Sequence, residues 1–211
     1  MFFQRKYPEA AKFLATAFQN RPTLPYVAGD LGFLYLCAGE YEDAEKFLKL
    51  ANRLQPSDKN VRRLLAEAEF MVGKFDEAVR LFEQATKDDP NRRRSKNVLA
   101  WALATSPFEK SRDGEKALAI IDPMFQLIGE ESPSTLEIYA ACYAEVGDFK
   151  KALEYQEKAV LLIDDRSSSE SYSAGQEKGM RARAELYRRH RPYRMADLDQ
   201  IPIAPPGQKA K

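Results

Sequence analysis

Apolar residues recur along this chain with the period of an α-helix rather than that of a β-strand. In segments 26–38 and 41–54 they lie three or four positions apart, which predicts two amphipathic helices. Gly39 lies between these segments, where helix ends commonly adopt a left-handed turn. Pro56 follows the second segment and cannot continue a helical hydrogen-bond ladder. The pattern therefore predicts a helix–turn–helix unit with a glycine turn and a proline stop.

This unit is repeated at a fixed period. Residues of the same or a similar type recur at steps of 34 positions: Tyr7, Tyr41 and Phe75; Ala10, Ala44 and Ala78; Ala17, Ala51 and Ala85; Pro22, Pro56 and Pro90; Gly39 and Gly73. A further set lies 74 residues after Gly73, Phe75, Ala78 and Ala85: Gly147, Phe149, Ala152 and Ala159. This distance equals one repeat of 34 residues and one of 40. We therefore predict a partial repeat at 1–24 and repeats at 25–58, 59–92, 93–132 with a six-residue insertion, and 133–166.

The third and fourth repeats carry their own boundary signals. Ser106-Pro107 predicts an early end to a helix, because the residue before proline avoids the helical conformation. Pro123 falls inside the next predicted helix and should bend it. Ser132 is expected to cap the following helix, and the spacing of Ser134 and Glu137 is that of a capping box.

Nine positions of the first full repeat carry a family resemblance: Leu31, Gly32, Tyr35, Gly39, Tyr41, Ala44, Leu48, Ala51 and Pro56. With these residues the chain resembles the tetratricopeptide repeat family over roughly its first four-fifths. The resemblance implies an all-α, right-handed α-solenoid with a C-terminal capping helix. Segment 97–193 is also similar to a C-terminal repeat module of planctomycete-type bacterial proteins, which implies a bacterial, cytoplasmic protein.

Composition excludes several classes of function. The 211 residues include 33 Lys and Arg against 32 Asp and Glu, so the net charge of +1 does not fit a uniformly basic nucleic-acid coat. Two cysteines and one histidine fit neither a disulfide scaffold nor a cysteine zinc site. The chain has no glycine-rich phosphate loop, no H-E-x-x-H and no nucleophile elbow. The sequence thus predicts a protein that is not an enzyme, has no cofactor or metal, and does not span a membrane.

The family resemblance implies a concave groove lined by the first helix of each repeat. The side chains expected there are Tyr26, Phe33, Arg63, Glu67, Phe70, Arg94, Asn97 and Trp101. Trp and Arg often dominate binding energy, so we predict that the groove binds a peptide or a helix of a partner protein. For Trp101, packing between helices is the alternative. The Lys and Asn pattern with which some family members clamp a C-terminal carboxylate is absent.

A basic cluster follows the repeats. It comprises Lys178, Arg181, Arg183, Arg188, Arg189, Arg191 and Arg194, with Glu185 as the one acid among them. Two interpretations are open: a solvated outer face of a capping helix, or a patch that binds an acidic protein or, less favoured, nucleic acid. We expect Met180, Ala184 and Tyr187 to pack inward. Segment 167–195 is predicted to be linker and capping helix, and 196–211 a disordered tail.

The first predicted helix presents an apolar face formed by Phe13, Leu14 and Phe18. Its partner helix is short in this sequence, which indicates either a fragment of a longer repeat protein or a face that supports self-association. Three functional hypotheses result: a peptide-binding scaffold, an adaptor for nucleic acid or acidic surfaces, and an oligomerisation module of a larger signalling enzyme.

Overall fold

The computed structural model describes residues 7–20, 25–90, 92–128, 132–164, 172 and 174–195. Within these ranges there are ten α-helices and no strand. The helices are α1 (Tyr7–Asn20), α2 (Pro25–Ala38), α3 (Tyr41–Leu54), α4 (Lys59–Met71), α5 (Phe75–Asp88), α6 (Arg93–Thr105), α7 (Gly114–Ile128), α8 (Pro133–Glu145), α9 (Phe149–Asp164) and α10 (Ala174–Arg188). The predicted linker at 167–171 and the tail at 196–211 lie outside the described residues.

The helices form two compact bodies. The N-terminal body contains α1–α5 and the C-terminal body contains α6–α10. Within these bodies, the predicted repeats appear as the helical hairpins α2/α3, α4/α5, α6/α7 and α8/α9. In each hairpin the two helices pack against one another. The predicted succession of helical hairpins is confirmed for the described residues.

Small residues allow close helix contact in the core of the N-terminal body. Leu31, Ala44, Leu48 and Ala51 are all fully buried there. A Cβ atom on Gly32 would overlap the side chain of Leu48, so the glycine lets α2 and α3 approach closely. The 34-residue recurrence of small residues therefore reflects the contacts between helices.

The glycine turns between paired helices share one backbone conformation. Gly39, Gly73 and Gly147 have φ angles of 79°, 85° and 85°, in the left-handed region. In the second turn, the Lys74 amide donates to the Glu69 carbonyl at 2.8 Å and the Gly73 amide donates to the Phe70 carbonyl at 3.2 Å. This is the Schellman arrangement, which satisfies carbonyls left unpaired at a helix end.

Side-chain caps begin helices α4 and α8. Asp58 accepts hydrogen bonds from the amides of Asn60 and Val61, which caps α4. Ser132 accepts from the Thr135 amide at 3.3 Å, which caps α8. The expected capping box with Glu137 is wrong, because the N-cap of α8 is Ser132 and Glu137 forms a buried ion pair instead.

The insertion in the third repeat is tied down in the C-terminal body. Helix α6 ends at Thr105, before Ser106-Pro107 as predicted, and α7 continues through Pro123. Arg112 in the insertion donates from Nη1 to the carbonyls of Ser106 and Pro107, both at 3.2 Å. Its Nε also donates to Glu145 of α8 at 2.9 Å. One arginine thus fixes the extra loop to the neighbouring hairpin.

Replacing Ala78 by leucine adds bulk at a fully buried position of α5. We expect Ala78→Leu to lower the free energy of unfolding by about 1–3 kcal/mol, because overpacking forces strain on neighbouring side chains. Urea denaturation measures this loss. The matched control is Ala10→Leu, at the same register position but exposed on α1. Equal effects of the two substitutions would show that the packing register is misassigned.

Candidate protein-binding surfaces

Helix α2 presents two large aromatic side chains to solvent. Tyr26 is 63% exposed and Phe33 is 46% exposed. They are seven positions apart, so they lie on one face of the helix two turns from each other, with the exposed Asp30 between them. Both belong to the predicted groove set. This face, formed by Tyr26, Asp30 and Phe33, is called the α2 aromatic face below.

Helix α4 packs beside α2. The side chains of α4 that were predicted to line the groove are either ion-paired or buried. Arg63 Nη1 lies 2.5 Å from Glu67 Oε1, and both side chains are largely buried. The Arg63 charge is therefore compensated within its own helix. Phe70 is buried edge-on against Phe75 at 5.4 Å between ring centroids. The prediction of Phe70 as a groove residue is corrected, because the aromatic residues of α5 enclose it.

Helix α6 of the C-terminal body places its predicted groove residues at three different depths. Arg94 is exposed, Asn97 is half-buried and Trp101 is only 1% exposed. The Trp101 ring packs 5.9 Å from the ring of Tyr193. The prediction that Trp101 lines an open groove is corrected, and its alternative, packing between helices, describes the structure.

Arg183 of α10 is the most unexpected side chain of the C-terminal body. It is fully buried and ion-paired with Glu137 of α8. Its guanidinium carbon lies 5.5 Å from the centre of the Trp101 ring and 5.4 Å from that of Tyr193. Gln156 of α9 adds a hydrogen bond to the Met180 carbonyl of α10 at 3.1 Å. A carboxylate and two aromatic faces thus compensate a cation that has lost its water.

Sequence reasoning missed the role of Arg183, although the signal was present. Met180, Ala184 and Tyr187 are buried, as predicted. Arg183 lies three positions after Met180 and four before Tyr187, so it shares their helical face. Its charge led to its assignment to the solvent side. Its helical position, rather than its residue type, decides where the side chain lies.

The predicted basic patch is therefore smaller than its sequence suggests. Arg183 is buried, and Arg194 is largely buried against Glu145 and the Ala104 carbonyl. Arg181 pairs with an aspartate of α9, and Arg188 pairs with glutamates of α9 and α10. In the part of the chain that the structure describes, only three members of the patch have no ion-pair partner: Lys178, Arg189 and Arg191.

His190 forms the turn after α10. His190 has a φ of 52° and occupies the position that glycine holds in the hairpin turns. The amide of Arg191 closes this turn on the Leu186 carbonyl at 2.9 Å. The His190 ring stacks on Phe149 at 5.2 Å, nearly parallel to it. This histidine therefore ends α10 and covers the start of α9.

The apolar face predicted for α1 is mostly covered. Phe18 is buried and packs edge-on against Phe47 at 5.9 Å, and Leu14 packs against the same core. Phe13 alone of the three is 79% exposed. Of the three side chains on which the self-association hypothesis rests, the N-terminal body thus buries Phe18 and partly covers Leu14.

The described residues show little reactive chemistry. Cys142 is fully buried, and burial together with the nearby Asp122 raises the pKa of its thiol, which keeps it protonated and unreactive. No group of His, Cys, Asp and Glu among these residues could hold a metal ion. None of the helices described is long and apolar enough to cross a membrane.

Comparison with protein-family models identifies the repeats. Two models described as "Tetratricopeptide repeat" match, one at residues 4–68 and 38–102 and the other at 135–165. The chain belongs to the tetratricopeptide repeat family. A comparison with curated proteins finds no match.

Solved structures of tetratricopeptide proteins share this fold. "MamA MSR-1 C2" is 23% identical, with a TM-score of 0.63 over 77% of this chain and 90% of that chain. TTC0263, described as a thermophilic TPR protein in Thermus thermophilus, is 17% identical, with a TM-score of 0.55 over 86% of this chain and 90% of that chain. The predicted all-α tetratricopeptide solenoid is confirmed.

Removing one partner of the buried ion pair should destabilise this tetratricopeptide protein strongly. We expect Arg183→Met to lower the free energy of unfolding by about 3–5 kcal/mol, because Glu137 then remains buried and unpaired. The double variant Arg183→Met/Glu137→Leu should recover most of this loss. Urea denaturation of the full chain measures both.

The exposed ion pairs of Arg188 provide the matched control. Arg188→Met removes the same charge from the same helix but leaves no buried group unpaired, so stability should change little. A loss equal to that of Arg183→Met would contradict the distinction between the two arginines. Failure of the double variant to recover stability would contradict the role assigned to Glu137.

Proposed function

We propose that this chain is a non-catalytic scaffold that binds a peptide segment or helix of a partner protein on the α2 aromatic face. One observation carries the proposal: Tyr26 and Phe33 are exposed together on a single helix face of the N-terminal body. Large aromatic side chains dominate many protein interfaces because they bury much surface at little entropic cost. Contacts with both rings would supply the apolar centre of a binding site.

The neighbouring polar groups indicate what kind of ligand suits this face. Asp30 lies between the two rings, and Arg63 is already paired with Glu67. A ligand with apolar side chains, and a single basic or amide group near Asp30, fits this arrangement better than a strongly acidic one. An amphipathic helix or an extended segment with apolar side chains at regular spacing has this chemistry.

The other two functional hypotheses receive less support. The adaptor hypothesis required seven exposed cations, of which two are buried or largely buried and two others are paired. The oligomerisation hypothesis required an open apolar face on α1, where Phe18 and Leu14 pack against the core. The peptide-binding hypothesis therefore explains more of the described surface.

A peptide-display selection on the purified full chain tests the proposal. Selected peptides should lose affinity at least tenfold for the variant Tyr26→Ser/Phe33→Ser, because truncation of an aromatic side chain at an interface centre costs more than about 1 kcal/mol. Isothermal titration calorimetry measures the dissociation constants. Circular dichroism verifies that the variant retains its helices.

The control variant is Phe13→Ser/Leu161→Ser, which truncates two other exposed apolar residues on α1 and α9. Its affinity for the selected peptides should match that of the unmodified chain. Unchanged binding by Tyr26→Ser/Phe33→Ser would place the peptide site elsewhere and contradict the proposal.

A further inference from the structure

A short segment after α10 covers part of the first helix of the third repeat. Residues 191–194 of this segment form neither helix nor strand. Tyr193 is buried, with its ring 5.9 Å from the Trp101 ring of α6 and 5.4 Å from the guanidinium carbon of Arg183 of α10. Met195 is buried as well. The segment thus covers an aromatic side chain that the family resemblance assigned to a binding groove.

The next side chain of the segment extends the contact to the first helix of the fourth repeat. Arg194 Nη1 donates to the Ala104 carbonyl of α6 at 3.4 Å, and its Nη2 lies 2.6 Å from Oε2 of Glu145 of α8. We call the face formed by Trp101, Ala104 and Glu145 the α6/α8 surface. An aromatic residue followed directly by an arginine therefore contacts two first helices.

Side chains, rather than the main chain, hold this segment. The Arg191 amide donates to the Leu186 carbonyl at 2.9 Å, which closes the turn after α10. Within the described ranges, no hydrogen bond between main-chain groups joins residues 192–194 to another element. A segment that adds to a sheet edge depends on such bonds, whereas this one depends on its side chains. A separate segment with the same side chains can therefore make the same contacts.

Two features oppose the docking of the segment. Arg112 Nε lies 2.9 Å from Oε1 of Glu145, so two guanidinium groups share one carboxylate. Burial lowers the pKa of Arg194 and the charge of Arg112 adds to this, although Glu145 acts in the opposite direction. His190, in the turn before the segment, has a φ of 52°, which costs energy for a residue other than glycine. A separate segment avoids the cost of this turn.

We propose that residues 191–195 are an exchangeable intramolecular ligand of the α6/α8 surface, and that a non-helical segment of a partner protein, with an aromatic residue followed by an arginine, takes their place. The present occupant defines this chemistry, since its ring lies beside Trp101 and its arginine reaches Glu145. The tethered segment competes at a high effective concentration, so it holds the surface closed against weak ligands. This inference concerns the C-terminal body and does not depend on the peptide site proposed for α2.

A short peptide tests the proposal on the full chain. The probe has the sequence Arg-Pro-Tyr-Arg-Met, with fluorescein at its N terminus and an amidated C terminus, and fluorescence anisotropy measures its binding. In Tyr193→Ser/Arg194→Ser, called the opened variant, the tethered segment loses the ring and the cation that hold it. We expect saturable binding of the probe to this variant, at least tenfold tighter than to the unmodified chain, where the tethered segment competes.

Matched controls separate this exchange from general charge attraction. Arg189→Ser/Arg191→Ser removes two exposed arginines near the same turn and should bind the probe no better than the unmodified chain does. The peptide Arg-Pro-Ser-Arg-Met keeps both charges but lacks the ring, so it should bind the opened variant roughly tenfold more weakly. Adding Glu145→Gln to the opened variant should weaken probe binding roughly tenfold, because the arginine of the probe loses its anionic partner.

A second variant guards against loss of folding. Circular dichroism and thermal melts establish whether the opened variant retains its helices, and the probe should raise its melting temperature toward that of the unmodified chain. If the double substitution unfolds the C-terminal body, Arg194→Ser alone leaves the buried ring in place. That single variant should still bind the probe more tightly than the unmodified chain does.

Four results would overturn the proposal. They are the absence of saturable binding to a folded variant at about 1 mM probe, equal affinity of the opened variant and the unmodified chain, equal binding of the tyrosine and serine peptides, and light scattering that finds the unmodified chain to be a dimer which the probe dissociates. The last result would assign the surface to the same segment of a second copy. None of the four bears on the α2 aromatic face, so the two proposals fail separately.

Discussion

Each helical hairpin of this chain has an apolar face that it cannot bury alone, and the fold depends on a neighbouring helix covering that face. Close coverage requires small residues where helices cross. Ala44, Ala78 and Ala152 are therefore fully buried, and Gly32 leaves room for Leu48. These positions tolerate little added volume. Small residues therefore recur every 34 positions at the helix contacts, whereas the residues at surface positions differ between repeats.

In the C-terminal body, the last hairpin is covered by a single helix. Helix α10 packs on α9 and brings Arg183 to Glu137 of α8. A buried ion pair contributes little net stability, because desolvation of the two charges offsets much of their attraction. Its geometry is specific, however, since a rotation or shift of α10 would move Arg183 away from Glu137, Trp101 and Tyr193. The pair thus fixes how the helix docks.

The sequence predicts the parts of this structure that depend on local chemistry. Glycine turns, proline stops and the cap at Ser132 act within a few residues, so the helix order and most boundaries follow from the pattern. How deeply a side chain is buried depends on residues that are distant in the sequence. Glu137 lies 46 residues from its partner Arg183, and Phe75 and Phe82 of α5 pack against Phe70.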